Sequence, residues 1–231
     1  MMNNNVYYGL VNLEILCIMK RMDIKCILFD SDGVIADTDR IYFEINSELI
    51  RRYGIEHTRE DYIKYSFLSD LGSAGFLKQN HIEDIKDFKN ERNQKFIQKI
   101  KEVHLIDLGT VNEIIELSKK YKIGIVTNAN QDIFAAVYEK RGLLELLDLI
   151  IVREKYDNPK PAPDCYLKAI QESNIPLDQI IVVEDSPRGV AAARSAGLKT
   201  VHIQNKHFPE VTADADYKIT SISELITLLN S

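Results

Sequence analysis

The sequence predicts an α/β fold, a doubly wound parallel sheet with helices on both faces and a helical segment inserted after the first strand. Three observations predict it. Short, wholly apolar runs recur along the chain and stop abruptly at polar or turn residues, the pattern of strands buried on both faces. Stretches with helical spacing lie between them, so strand and helix alternate. The 231 residues exceed one domain of common size and fall short of two, taking about 150 residues per domain, which fits one core with a smaller insertion.

Residues 1–22 read as an N-terminal extension. Asn3-Asn4-Asn5 lead into an apolar stretch from Val6 to Met19 that Asn12 and Glu14 interrupt. A bilayer span needs about 20 apolar residues, and the basic start and small-residue cleavage site of a signal peptide are missing. A tail from an early start codon is expected, because Met19 and Met22 could each begin the folded chain. The core then occupies 23–38 and 106–231. Its apolar runs are Cys26 to Phe29, ending at Asp30-Ser31-Asp32-Gly33; Ile123 to Val126, ending at Thr127-Asn128; Leu149 to Val152; and Ile180 to Val183, ending at Glu184-Asp185. Helical patterns over Val111 to Tyr121, Asp132 to Arg141 and Asp164 to Glu172 alternate with them. Punctuation agrees: Ser186 caps a helix that Pro187 opens and Gly197 stops, Pro163 opens the helix at Asp164, and Gly142 ends the one before. From 39 to 105 β-branched runs vanish, charge is dense, and Ile41, Ile45 and Leu49, or Phe88, Phe96 and Ile100, keep helical spacing.

Composition narrows the function. The net charge of −6 lacks the basic excess that neutralises phosphates, so neither nucleic acid nor an anionic membrane is an expected partner. Segment 39–105 holds as many basic as acidic residues, so the excess acid belongs to the core. Cys17, Cys26 and Cys165 are odd in number and widely spaced, which points to a reducing, cytoplasmic setting. The histidines, His57, His81, His104, His202 and His207, form no metal-ligand spacing.

The core's acid has a place. Asp30 and Asp32, Thr127, Lys160, and Glu184 with Asp185 follow successive strands at their carboxyl ends, where an open parallel sheet forms its ligand crevice. Carboxylates gathered there repel one another unless a cation or proton intervenes. All-oxygen donors suit Mg²⁺ beside a phosphate. Asp30 and Asp32, two residues apart in extended backbone, point the same way, as a nucleophile and an acid/base require. Gly33 then permits a turn, Thr127 offers a hydroxyl donor, and Lys160 offsets charge on a transferred phosphoryl group.

Four segments together resemble the motifs of the haloacid dehalogenase-like hydrolase superfamily: Asp30-Ser31-Asp32-Gly33-Val34-Ile35-Ala36-Asp37-Thr38, Val126-Thr127-Asn128, Lys160-Pro161-Ala162-Pro163-Asp164-Cys165-Tyr166, and Val183-Glu184-Asp185-Ser186-Pro187-Arg188-Gly189. The insertion is placed like the helical cap of the β-phosphoglucomutase and phosphoglycolate phosphatase branch. The resemblance spans about 24–226 and implies a Rossmann-like core. It also implies Asp30 as nucleophile and magnesium ligand, and Asp32 as general acid/base with its carbonyl on the metal. Thr127, Asn128 and Lys160 would hold phosphate, and Glu184 and Asp185 would complete the metal site. Asp37 is expected to cap a helix. Leu108-Gly109 stands where the family often has Pro-Gly.

Three activities compete. A Mg²⁺-dependent phosphatase acting on a small phosphorylated metabolite is the expected one, as a monomer. A sugar phosphomutase is disfavoured, because mutases of this branch resemble one another in a histidine four residues past the hinge threonine, where Tyr42 stands here. A phosphoacceptor signalling module resembles the chain less, lacking both the insertion and an acid equivalent to Asp32. Residues Ser66 to Ser73, whose glycine and small side chains break the helical pattern, are expected to contact substrate.

Overall fold

The computed structural model describes residues 23–139 and 142–230, so the expectations for 1–22 lie outside the described residues. Six strands are present: β1 (Cys26–Phe29), β2 (Lys122–Val126), β3 (Leu149–Ile151), β4 (Ile180–Glu184), β5 (Lys199–Ile203) and β6 (Tyr217–Ile219). They form one sheet in the order β3-β2-β1-β4-β5-β6, all pairs parallel. The expected parallel sheet is therefore present. It is wider than the four apolar runs indicated, because Lys199, Thr200 and His202 interrupt the fifth strand's apolar pattern and the sixth has only three residues.

Alternation of side chains sorts the core onto two faces. Ile27 and Phe29 pack with Ile114 and Leu117 of one helix (Leu108–Ser118), Ile133 and Phe134 of a second (Gln131–Tyr138), and Leu225 of a third (Ile222–Asn230). Cys26 and Leu28 pack instead with Cys165, Tyr166 and Ala169 of the helix Asp164–Ser173 and Ala192 and Ala193 of the helix Pro187–Ser195. Burying a side chain such as Leu28 stabilises the fold by roughly 1.5–3 kcal/mol. Helix starts are capped by polar side chains: Asp107 accepts from Thr110 N at 2.9 Å, Asn130 from Ile133 N at 3.0 Å, and Ser186 from Gly189 N at 3.0 Å. Leu108 thus takes the first helical position, which suits proline, and Asp107 fixes that start.

Between β1 and β2 the chain is helical: α1 (Asp39–Arg51), α2 (Arg59–Tyr62) running into a π-helical stretch (Ile63–Leu68), α3 (Ser73–Gln79) and α4 (Ile85–Lys99). Asp37 N donates to Leu105 O at 2.8 Å where the chain leaves and re-enters the core. Ile41, Ile45, Leu49, Phe88, Phe96 and Ile100 are buried, and Tyr42 stacks on Phe96 at 4.2 Å. A small apolar cluster, Tyr62 and Phe67 against Phe208 and Val211, joins this segment to the loop after β5. Asp37 does not cap α1, whose N-cap is Thr38. Its carboxylate meets Lys206 Nζ at 3.1 Å and His207 Nε2 at 2.5 Å instead, because the loop after β5 brings an ammonium and an imidazole to face it.

Candidate active site

The strand order turns about β1: the chain builds outward through β2 and β3, then returns to β4 on the other side. Such a switch point opens a crevice at the strands' carboxyl ends. Phe29 is in register with Ile125 and Val183, so Asp30, Thr127 and Glu184 emerge close to one another. Asp30 N still donates to Val183 O at 2.9 Å and Thr127 N to Ile151 O at 2.9 Å. The functional side chains therefore begin on backbone that the ladder holds rigid.

Lys160, in the loop after β3, is buried at the centre. Its Nζ donates to Asp30 Oδ1 at 2.6 Å, Glu184 Oε1 at 2.6 Å and Val126 O at 2.8 Å. Burial pulls the ammonium down, but Asp30 and Glu184 outweigh it and hold Lys160 well above the usual lysine range. Glu184 is fully buried and also accepts from Tyr166 OH at 2.7 Å and Ser186 Oγ at 3.2 Å. A Cβ at Gly189 would lie 1.9 Å from Glu184 Cδ, so only glycine lets the helix start approach this carboxylate.

Asp30, Glu184 and Asp185 each direct a carboxylate oxygen into one spot, the oxygens within 4.8 Å of one another. Burial first, then neighbouring acids, raises Asp30 and Asp185 well above the usual carboxylate range, although Lys160 opposes this at Asp30 and Asn205 at Asp185. One lysine thus under-compensates three converging carboxylates. An all-oxygen donor set short of positive charge fits a hard divalent cation. Cys26 and Cys165, by contrast, have thiols that burial pushes up to about 12 and about 11, which makes them poor nucleophiles.

Asp32 stands outside that trio. Thr38 Oγ1 donates to its Oδ1 at 2.6 Å, and burial raises it while hydrogen bonds from Thr38 and Thr127 oppose the rise. Gly33 has φ +76°, and a Cβ there would lie 2.0 Å from Asp185 Oδ2 and 2.7 Å from Asp39 Oδ2. Asp39 and Asn205 are site residues the sequence reading missed. Asn205, after β5 and 1% exposed, donates through Nδ2 to Asp39 Oδ2 at 2.6 Å and to Asp185 Oδ2. Its Oδ1 accepts from the backbone of His207 and Phe208. No local signal marks either one: Asp39 reads as an ordinary helix-start aspartate, and Asn205, two residues past the end of β5 at Ile203, as a loop asparagine.

On the other side of Asp30, Thr127 Oγ1 accepts from Ala129 N at 3.0 Å. Asn128 Oδ1 accepts from Tyr156 OH at 2.8 Å and Lys160 N at 3.1 Å, which orients its NH₂ away from them. Asn128 lines a cavity of about 310 Å³ between the inserted helices and the core, with Asp70, Leu71, Gly72 and Ser73 on the opposite wall. Part of the expected contact stretch is thus brought to the cavity, and Ser66 meets the core through its carbonyl, which accepts from Arg188 at 3.3 Å. A larger cavity, about 530 Å³, lies at the sheet edge near Gln204, Val211 and Ile219. It holds none of the residues gathered around Asp30, whereas the smaller cavity holds Asn128, so size alone does not identify the site.

The family model described as haloacid dehalogenase-like hydrolase matches residues 27–203. A phosphorylated carbohydrates phosphatase of Thermotoga maritima is 27% identical over 77% of this chain and 84% of its own. A validoxylamine A 7'-phosphate phosphatase of Streptomyces hygroscopicus subsp. limoneus is 27% identical over 87% of this chain and 95% of its own. Among solved structures, CbbY from Rhodobacter sphaeroides in complex with phosphate superposes with a TM-score of 0.74 at 24% identity, covering 90% of this chain and 100% of that one.

Proposed function

The chain belongs to the haloacid dehalogenase-like hydrolases, and from that premise we propose that it is a cytoplasmic phosphatase. It would release phosphate from a small phosphorylated metabolite through a covalent intermediate on Asp30. The observation that carries this reading is Asp30 itself: a buried carboxylate at the end of the central strand, held by Lys160 at 2.6 Å, with Asp32 two residues on. Two of its relatives are named as phosphatases of phosphorylated carbohydrate or of validoxylamine A 7'-phosphate.

Asp30 attacks phosphorus, forming an acyl phosphate as the bond to the leaving oxygen breaks. Asp32, whose carboxyl burial raises above the usual carboxylate range, gives a proton to that oxygen. It then takes one from water as water attacks the same phosphorus and frees Asp30. Lys160 offsets charge on nucleophile and phosphoryl oxygens, while the Thr127 hydroxyl and Asn128 NH₂ donate to those oxygens. Asp30, Glu184, Asp185 and the Asp32 carbonyl would hold Mg²⁺. When bound, the ion supplies the positive charge that the carboxylates and phosphoryl oxygens lack. Residues 39–105 act as the cap that covers substrate and excludes bulk water.

Phosphate release from p-nitrophenyl phosphate with Mg²⁺ tests this. EDTA or Asp30→Asn is expected to lower kcat by at least a thousandfold; unchanged release under either overturns the mechanism. Conversion of β-glucose 1-phosphate to glucose 6-phosphate without free phosphate would identify a mutase instead.

A further inference from the structure

Beside the converging acids lies a neutral amide, Asn205, that is only 1% exposed although it sits in a loop. Two backbone donors settle which way it faces. Its Oδ1 accepts from His207 N at 2.9 Å and Phe208 N at 3.0 Å, so its NH₂ must point away from them. There one N–H goes to Asp39 Oδ2 at 2.6 Å and the other to Asp185 Oδ2. Every donor and acceptor position of the amide is thus used.

The loop that carries Asn205 is itself held. His207 Nε2 meets Asp37, Arg59 donates to His207 O at 2.9 Å and to Glu210 Oε1 at 2.7 Å, and Phe208 packs on Tyr62 and Phe67. Arg59, Tyr62 and Phe67 belong to the insertion, so the amide is braced from the insertion's side as well as the core's. The bond to Asp39 keeps it from following Asp185 if that carboxylate turns. Asp185 Oδ2 is directed towards Asn205 and lies over Gly33, where a Cβ would come within 2.0 Å of it. Asp30 and Glu184 are restrained in a similar manner: Lys160 takes Asp30 Oδ1, and Lys160, Tyr166 and Ser186 take both oxygens of Glu184.

We propose that Asn205 is a positioning residue for the cation: by claiming one oxygen of Asp185 it leaves that acid the other to offer, and so biases the site towards Mg²⁺ over Ca²⁺. Mg²⁺ is small, keeps several waters and tolerates little departure from octahedral geometry, so a rigid acid giving one oxygen suits it. Ca²⁺ takes more oxygens, in a looser shell, and accepts both oxygens of one carboxylate. Without the amide, Asp185 can swing and present both. This inference rests on the metal site of the proposed function.

Calorimetric titration of the full chain with Mg²⁺ alone or Ca²⁺ alone at pH 8, without substrate, tests it in wild type, Asn205→Ala, Asn205→Ser and Arg59→Met. Wild type is expected to bind Mg²⁺ at least as tightly as Ca²⁺. Asn205→Ala should weaken Mg²⁺ by roughly tenfold, the scale for a residue that orients a metal ligand, and leave Ca²⁺ within about threefold of wild type. Asn205→Ser keeps an acceptor for His207 N, and with it the turn, but is too short to reach both acids; the same shift towards Ca²⁺ is expected. Arg59→Met loosens the loop without touching the amide, so it should lower Tm while the ratio of the two affinities stays that of wild type. A wild type that prefers Ca²⁺, a ratio unmoved in both Asn205 variants, or an equal shift in Arg59→Met overturns the role of Asn205 and leaves the metal reading intact. No binding of either ion to wild type overturns both.

Discussion

At the scale of single residues, two glycines decide how closely carboxylates can be approached. At Gly33 the backbone is left-handed, and the space a Cβ would take is filled by Asp185, Asn205 and Asp39; at Gly189 it is filled by Glu184. Gly33→Ala adds both a clash and strain at positive φ, of order 1–3 kcal/mol for the strain alone. The expected outcome is a lower Tm together with Mg²⁺ affinity weakened at least tenfold, read by calorimetric titration. A Gly33→Ala protein that binds Mg²⁺ like wild type would show that Asp185 has room to move. Legibility at this scale was uneven. Asp30, Asp32, Thr127, Lys160, Glu184 and Asp185 were readable because each directly follows an apolar run or sits in a marked loop. Asp39 and Asn205 were not, since nothing local distinguishes a helix-start aspartate or a loop asparagine from ordinary surface polarity.

The element that links insertion to core is the start of α1. Asp39 is its first residue, and Asn205 ties the Asp39 carboxyl to Asp185 while Tyr62 OH reaches it from α2 at 3.3 Å. Burial pushes Asp39 up to about 6, against the hydrogen bond from Asn205. An unfolded aspartate titrates near 3.9, so between about pH 4 and 6 the native state binds more protons than the unfolded one. Stability must then fall as pH rises through that window, by on the order of 3 kcal/mol from this group, and stay low above it. Asp39→Asn keeps an acceptor for Asn205 and removes the titration. Its denaturation midpoint is expected to lose this fall between pH 4 and 7. A variant whose pH profile overlays the wild type's would exclude Asp39 as the source. The insertion's helices were legible from spacing such as Ile41, Ile45 and Leu49, whereas Asp37 was misassigned because its partners, Lys206 and His207, lie 169 and 170 residues away.

For the whole molecule, the converging acids make the metal-free protein dependent on pH in a second way. Asp30 and Asp185 are raised by burial and by their neighbours, and a metal ligand must be deprotonated, so under the proposed function protons and Mg²⁺ would compete. Mg²⁺ is expected to raise Tm more at pH 8 than at pH 5.5, with proton release on binding, followed by thermal unfolding in buffers of different ionisation enthalpy. An equal Tm increase at both values would mean that these carboxyls are already ionised at the lower pH. No helix among the described residues is long and apolar enough to cross a membrane.

The sequence by itself determined the parallel α/β core, four of its strands, the helical nature of 39–105 and the strand-end residues, because burial on both faces and helical spacing are written in consecutive residues. Tertiary structure alone decided that β5 and β6 extend the sheet, that Asn205 bridges Asp39 to Asp185, and that Arg59 and Tyr62 of the insertion meet the loop carrying Asn205. Those meetings depend on strand order and on how the inserted helices lie over the core, and no local pattern of side chains encodes which distant charges will be left facing one another.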